Sequence, residues 1–192
     1  MMKNVVKIKS LKISHKLIGK ELPTNKDGHA GRAAEYLLES FGIPINRGAG
    51  TDMRHGLELK TRKISATSAQ TICVMQPADI IRYSYYNSPV YAKFQQQLRI
   101  KTNDNDIIVD ADIYDFDQPH IQRLIEDAYE NGRQQLIENP YLLYTPYTGY
   151  WGYFENTNPN KTTSLDFRIS DPDMRKLEDM STSTYKNLFE EV

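Results

Sequence analysis

The alternating stretch Leu57-Glu58-Leu59-Lys60-Thr61 constrains the fold of this chain more than any other feature. Because successive side chains of a β-strand point to opposite faces, Glu58 and Lys60 share one face and the two leucines share the other. The pattern therefore predicts a strand that is buried on its apolar face. Its opposite face presents a carboxylate and an ammonium group side by side.

A second carboxylate, that of Asp52, lies six residues before Glu58 and is separated from it by the turn-prone pair His55-Gly56. We expect a short hairpin to return Asp52 to the side of Glu58. Two carboxylates supply the oxygen ligands that Mg²⁺ prefers and leave positions for water and a phosphate oxygen. In such a site the ammonium group of Lys60 would hold a phosphate oxygen or assist the attacking water.

The segment in front of this strand predicts a helix over residues 31–41. Its apolar residues recur with helical spacing at Ala34, Leu37, Leu38 and Phe41. Gly42 and Pro44 then end the helix. Glu35 lies at the border of the apolar stripe, where its carboxylate either reaches the site or stays in solvent as an ordinary helix residue.

Residues 25–63 carry a set of spaced residues, namely Asn25, Lys26, Gly28, Gly31, Glu35, Gly50, Asp52, Gly56 and Glu58-Leu59-Lys60-Thr61. This set resembles the signature of the MutH family of DNA endonucleases, which includes restriction enzymes that cut GATC and belongs to the PD-(D/E)xK nuclease superfamily. The chain departs from that signature at Asp27, which is inserted in the Asn-Lys-Gly run, and in the spacing from Asp52 to Glu58, which is one residue shorter.

The resemblance implies an α/β fold of the restriction-endonuclease type, with a central mixed sheet flanked by helices at 31–41 and 118–136. It makes Asp52 and Glu58 the metal ligands, Lys60 the catalytic lysine and Glu35 the helix-borne acid of the site. The implied reaction is Mg²⁺-dependent hydrolysis of double-stranded DNA in restriction or mismatch repair, with Mn²⁺ able to replace Mg²⁺. The implied partners are DNA and either a second copy of the chain on DNA or a MutL-like activator.

The residues expected to bind DNA come from two separate parts of the sequence, the motif near its start and a polar loop near its end. Lys26 belongs to the motif itself and Arg32 follows it on the predicted helix. The polar loop 156–163 supplies further hydrogen-bond donors at Asn156, Asn158, Asn160 and Lys161. Amide side chains bond adenine bidentately, and a lysine binds guanine or phosphate. The alternative is an ordinary solvated hairpin loop.

Length and charge set the outer limits of these predictions. A chain of 192 residues fits one nuclease domain, residues 1–192, which the family would divide into two lobes around a DNA cleft. The net charge is −1, yet residues 1–20 hold six lysines and no acid. This basic arm either faces phosphate or is a solvated tail.

Cysteine usage and hydropathy indicate the compartment. A lone cysteine, Cys73, excludes an intramolecular disulfide and a cysteine-based zinc cluster. The chain is therefore expected in the reducing cytoplasm. No stretch resembles a signal peptide or a membrane span, so no membrane partner is expected.

Further elements are predicted by short apolar runs and turn residues. Strands are expected at 70–74, 98–101, 106–114, 141–145, 152–155 and 164–169, of which 98–114 forms a hairpin. Helices are expected at 89–98, from Pro119 to 136, and after the cap residue Ser170 to about Met180.

Two features compete with the nuclease interpretation. Asp110 and Asp112 follow an apolar run and resemble the strand-end DxD of metal-dependent glycosyltransferases, although a half-exposed strand with a solvated acidic face explains them as well. The cluster of Tyr83, Tyr85 and Tyr86 would either stack on bases or pack in a core. A DNA-binding module without catalysis is the remaining alternative.

Overall fold

The computed structural model describes residues 16–23, 30–46, 51–53, 56–139, 151–156 and 164–189, although not the side chains at 30, 31 and 182–189. The chain divides into two compact units. Unit 1 comprises residues 1–66 and 96–115, and unit 2 comprises residues 67–95 and 116–192.

The described residues form a mixed α/β protein. In chain order the elements are α1 (Ala30–Ser40), β1 (Leu57–Lys63), β2 (Gln70–Met75), α2 (Pro77–Arg82), α3 (Pro89–Phe94), β3 (Gln96–Thr102), β4 (Ile108–Asp115), α4 (Pro119–Glu138), β5 (Tyr153–Glu155), β6 (Leu165–Ile169) and α5 (Asp171–Phe189). A 3-10 turn at Tyr85–Asn87 precedes α3. Among the described residues, no helix is both long and apolar enough to cross a membrane.

Unit 1 is built on a mixed three-stranded sheet of order β1-β3-β4. Strand β1 runs parallel to β3, and β3 runs antiparallel to β4, so β3 is central. The predicted hairpin over 98–114 is confirmed as β3 and β4. Its turn is closed by Asn103, whose side-chain oxygen accepts hydrogen bonds from the backbone N–H groups of Asn105 and Ile107, both at 3.0 Å.

One face of this sheet is buried against α1. Leu57 and Leu59 belong to a single hydrophobic cluster with Ala33, Ala34 and Leu38 of the helix. The alternation in β1 therefore separates an apolar face from a polar one, as predicted. The buried stripe of α1 differs from the prediction at one end: the helix stops at Ser40, so Phe41 lies beyond it and is 40% exposed.

Unit 2 holds a second, antiparallel sheet of order β2-β6-β5. Its buried residues include Phe154 and Phe167, whose rings meet edge to face with centroids 5.1 Å apart. Helix α4 packs on β5, where a Cβ placed on Gly132 would lie 2.7 Å from Cδ2 of Phe154. The absence of a side chain at Gly132 thus lets the helix approach the ring.

The prediction of one central sheet differs from this arrangement. Strand β2 pairs with β6 and lies in unit 2, whereas β1 pairs with β3 in unit 1. Both β2 and β6 bury alternating apolar residues, so they complete an antiparallel sheet of their own. The second predicted helix, 118–136, is present as α4 (Pro119–Glu138), two residues longer at its end, but it packs within unit 2.

Several helices and strands also begin or end at residues other than those predicted. The helix predicted over 89–98 ends at Phe94, since Gln96 already starts β3. The helix after Ser170 begins as predicted, with the Ser170 hydroxyl accepting the backbone N–H of Asp173 at 3.3 Å, but it continues to Phe189. The strand predicted at 141–145 lies outside the described residues.

Candidate active site

The turn between Asp52 and β1 is built around Met53. This residue forms antiparallel bridges with both Ile45 and Leu57, and its backbone N–H donates to the Leu57 carbonyl at 2.9 Å. Gly56 has φ +78, a left-handed conformation that costs glycine little and lets the chain reverse within a few residues. The short reversal predicted across residues 52–58 is therefore present.

This reversal links the segments that carry Asp52 and Glu58 through reciprocal hydrogen bonds. The backbone N–H of Asp52 donates to Oε2 of Glu58 at 3.3 Å, and the backbone N–H of Leu59 donates to Oδ2 of Asp52 at 3.1 Å. Each carboxylate thus accepts an N–H group from the segment that carries the other. The six-residue spacing, one shorter than in the family signature, is sufficient for this contact.

Lys60 completes the group. Its Nζ lies 2.9 Å from Oε1 of Glu58, and both side chains extend from the polar face of β1. The Glu58 side chain is only 1% exposed, whereas that of Lys60 is 22% exposed. A buried carboxylate is tolerated when it is ion-paired and hydrogen-bonded. The Lys60 side chain is therefore the more accessible of the two.

Strand β3 places two further polar residues beside this group. In the parallel register Glu58 is opposite Gln97 and Lys60 is opposite Arg99. Gln97 is fully buried and Arg99 is 3% exposed. Nη1 of Arg99 donates to Oε1 of Gln97 at 2.7 Å. The sequence reasoning missed both residues.

A signal for these residues was present in the alternation of Gln97, Arg99 and Lys101 with Leu98 and Ile100. That alternation identifies a strand with one polar face. It does not indicate that the neighbouring strand is β1, because pairing between distant segments is set by the whole sheet.

The chemistry of the donor set suits Mg²⁺. This ion is commonly held by one or two carboxylates, with substrate phosphate and water as the remaining ligands. Asp52 and Glu58 supply two carboxylates, each hydrogen-bonded to the segment that carries the other. Within the described part of the chain, no group of three or more histidine, cysteine or acidic side chains is placed to hold a metal ion.

The other predicted site residues fall into two groups. Glu35 and Arg32 lie on α1, where Glu35 is half-buried and Arg32 is exposed. Asn156 follows β5 and is half-buried. Lys26, Asn158, Asn160 and Lys161 lie outside the described residues. The roles assigned to all of them stay predictions.

The competing pair Asp110 and Asp112 lies on β4, on the same polar face of the unit 1 sheet. Asp110 forms an ion pair with Nζ of Lys101 at 3.3 Å, and Oδ1 of Asp112 accepts the backbone N–H of Ile113 at 2.7 Å. In the antiparallel register Asp112 is opposite Arg99. Both carboxylates therefore have contacts within the sheet.

The tyrosine cluster divides between core and surface. Tyr85 is fully buried, donates its hydroxyl to Oε1 of Gln122 at 2.7 Å and meets the Tyr129 ring, which confirms packing for this residue. Burial raises the pKa of Tyr85 well above its ordinary value. Tyr86 is 49% exposed, and the hydrogen bond from its hydroxyl to Glu126 raises its pKa.

Comparison of the sequence with models of known protein families and with curated proteins finds no match. The interpretation of this site therefore rests on the residues between 45 and 60 and on the geometry described above.

Proposed function

We propose that this protein is a Mg²⁺-dependent DNA endonuclease of the MutH type, with a restriction-endonuclease-like fold. The observation that carries the proposal is the reciprocal hydrogen bonding of Asp52 and Glu58, with Lys60 paired to Glu58 at 2.9 Å. An adjoining pair of carboxylates with a lysine on the same strand face is a suitable set of groups for hydrolysing a phosphodiester.

Each residue has a distinct role in this proposal. Asp52 and Glu58 hold the ion, which when bound stabilises the negative charge that develops on the leaving oxygen. Lys60 binds a phosphate oxygen and orients the phosphate for attack. A water oxygen then bonds to phosphorus and gives up a proton to solvent as the P–O3′ bond breaks, and the 3′ oxygen takes up a proton from solvent. The products are a 5′-phosphate and a 3′-hydroxyl.

DNA binding is assigned to Lys26, Arg32 and the loop residues Asn156, Asn158, Asn160 and Lys161. The amides of that loop would read base edges and the cations would bind phosphate. Glu35 would be an additional acid near the reacting phosphate. We infer a cytoplasmic enzyme that acts on double-stranded DNA, as a dimer on its site or with a MutL-like activator.

The proposed reaction is tested by incubating the full chain with supercoiled plasmid in Mg²⁺, in Mn²⁺ and in EDTA. We expect nicked or linear product with either metal and none in EDTA, and sequenced ends should carry 5′-phosphate and 3′-hydroxyl groups. Intact plasmid with retained DNA binding would instead indicate a non-catalytic DNA-binding module.

The transferase alternative has its own control in the same assay. Asp110→Asn removes the carboxylate that pairs with Lys101 and leaves Asp52, Glu58 and Lys60 in place. Cleavage by this variant should match that of the wild type. Loss of all activity in a folded Asp110→Asn protein would contradict the proposed site and favour the DxD site.

A further inference from the structure

Arg99 is a charged side chain in a position that normally favours apolar residues. It is 3% exposed, on the central strand of the unit 1 sheet, and its guanidinium group remains charged at any pH the protein meets. It stands in register with Lys60, so two cations lie side by side on one face. Like charges at adjacent positions of a sheet destabilise it. On its other side Arg99 is opposite Asp112, whose carboxylate offsets part of this repulsion.

The bond from Arg99 to Gln97 fixes the orientation of a buried amide. Because Oε1 of Gln97 accepts Nη1 of Arg99 at 2.7 Å, the amide is oriented with its oxygen toward the guanidinium. The NH₂ group is then the end left for other neighbours. Gln97 is opposite Glu58 on one side and Tyr114 on the other. The ionised carboxylate of Glu58 accepts hydrogen bonds and donates none. Without Arg99, the amide would lose the hydrogen bond that holds its oxygen toward the guanidinium and away from that carboxylate.

Resting on the function proposed above, we propose that Arg99 and Gln97 are positioning residues of the nuclease site. Arg99 orients the Gln97 amide, and the oriented amide keeps the Glu58 carboxylate in the geometry in which it adjoins Asp52 and pairs with Lys60. Neither residue touches the substrate, since both are buried. Their effect reaches the reaction only through Glu58, and partners of this kind typically change metal affinity or activity by about tenfold to a hundredfold.

The decisive variant is Arg99→Met, which keeps the length of the side chain and removes its charge and its hydrogen bonds. We expect the single-turnover cleavage rate to fall by about tenfold to a hundredfold, while the Kd for DNA in EDTA stays within about twofold. The Kd for Mn²⁺, measured by electron paramagnetic resonance on the DNA-free protein, should rise by about tenfold. Arg99→Lys, which retains a cation and a donor, should recover most of the rate.

Thermal unfolding separates positioning from a purely structural role. Removing one partner of a buried, hydrogen-bonded charge is destabilising, so Tm of Arg99→Met should fall and Arg99→Lys should recover Tm and rate together. The rates are compared at a temperature at which both variants are folded. A lower Tm together with losses that Arg99→Lys does not recover would overturn the proposal. Gln97→Met removes the amide and keeps the cation. It should give the same loss, and it decides the question if Arg99→Met does not fold.

The matched control is Lys101→Met, at the next position along the same face of β3. Lys101 pairs with Asp110 and is opposite Arg62 rather than Glu58 or Lys60. Its replacement should leave the cleavage rate and the Mn²⁺ affinity within about twofold. An equal loss of cleavage rate and Mn²⁺ affinity in Lys101→Met would indicate a general effect of removing charge and would contradict the proposed positioning role. An unchanged rate and an unchanged Mn²⁺ affinity in Arg99→Met would contradict it as well.

Measuring Mn²⁺ affinity also distinguishes a failure of the role proposed for Arg99 from a failure of the proposed nuclease function. A wild-type protein that binds Mn²⁺ without cleaving DNA would overturn the nuclease function, while the Mn²⁺ affinities of the variants would still decide the role of Arg99. A wild-type protein that binds no Mn²⁺ would overturn both.

Discussion

At the scale of single residues, Glu58 is a buried carboxylate whose desolvation is offset by its contacts. Its side chain is 1% exposed, and the effective free energy of burying a carboxylate is several kcal/mol before pairing. The ammonium group of Lys60 and the backbone N–H of Asp52 offset that cost. A glutamate at this position would be an unfavourable choice for packing alone. Its presence on a strand whose other face is leucine-rich supports the metal-binding role proposed for it.

Tyr129 is a single residue whose burial can be tested through the pH dependence of the free energy of unfolding. It is fully buried and donates its hydroxyl to the Tyr83 carbonyl at 3.0 Å. Desolvation raises its pKa from 10.0 to about 12. Between these values the unfolded chain loses the phenol proton and the folded chain keeps it, so stability falls as pH rises through that window. The expected slope is up to about 1.4 kcal/mol per pH unit from this group.

Urea unfolding at pH values from 8 to 11 measures this dependence. Tyr129→Phe should be less stable at pH 8, because it loses a buried hydrogen bond, but its free energy of unfolding should decline less steeply above pH 10. Equal slopes for the two proteins above pH 10 would show that burial of this phenol does not govern the alkaline response.

At the scale of elements, the local sequence patterns predicted which face of a strand carries apolar residues. They did not predict which strands pair with each other. The alternation in β1 predicted which side packs against α1, although it did not predict that Glu58 on the opposite face is also buried. The turn residues before β1 predicted the return of Asp52 toward Glu58. The division into two sheets was missed, because the pairing of β2 with β6 joins segments about 95 residues apart. The position of Gln97 and Arg99 beside Glu58 and Lys60 was missed for the same reason, since it depends on β3 lying beside β1.

The contact between α4 and β5 gives a prediction at this scale. In an ordinary helix interior, glycine to alanine stabilises by about 1 kcal/mol. At Gly132 the new Cβ would lie 2.7 Å from Cδ2 of Phe154, whose ring is 1% exposed and packed against Tyr129 and Phe167. Overpacking of this kind costs about 1–3 kcal/mol. We therefore expect Gly132→Ala to lower the free energy of unfolding.

A double-mutant cycle with Phe154→Leu isolates the cause. Leucine is smaller than the ring, so Gly132→Ala should become neutral or stabilising in that background. Urea denaturation of the four proteins gives the coupling energy. A stabilising effect of Gly132→Ala in the wild-type background would refute the close approach of helix and ring.

At the scale of the whole molecule, the three residues of the hydrogen-bonded site belong to one unit. Asp52, Glu58 and Lys60 come from the N-terminal segment of unit 1, and the strand beside them returns to that unit after the excursion through residues 67–95. The site is thus assembled by strand pairing between two separated parts of the chain. The number of nuclease domains and the residues that read DNA stay predictions.

The most direct test of the central claim is the single-turnover rate of DNA cleavage in Mg²⁺ for Asp52→Asn and Lys60→Ala. The matched control is Lys63→Ala, on the same strand but exposed and paired with Asp106 at 3.0 Å. We expect both site variants to lose about a hundredfold or more in rate, with unchanged Tm for Asp52→Asn, and the control to cleave like the wild type. Wild-type rates in Asp52→Asn or Lys60→Ala would contradict the account.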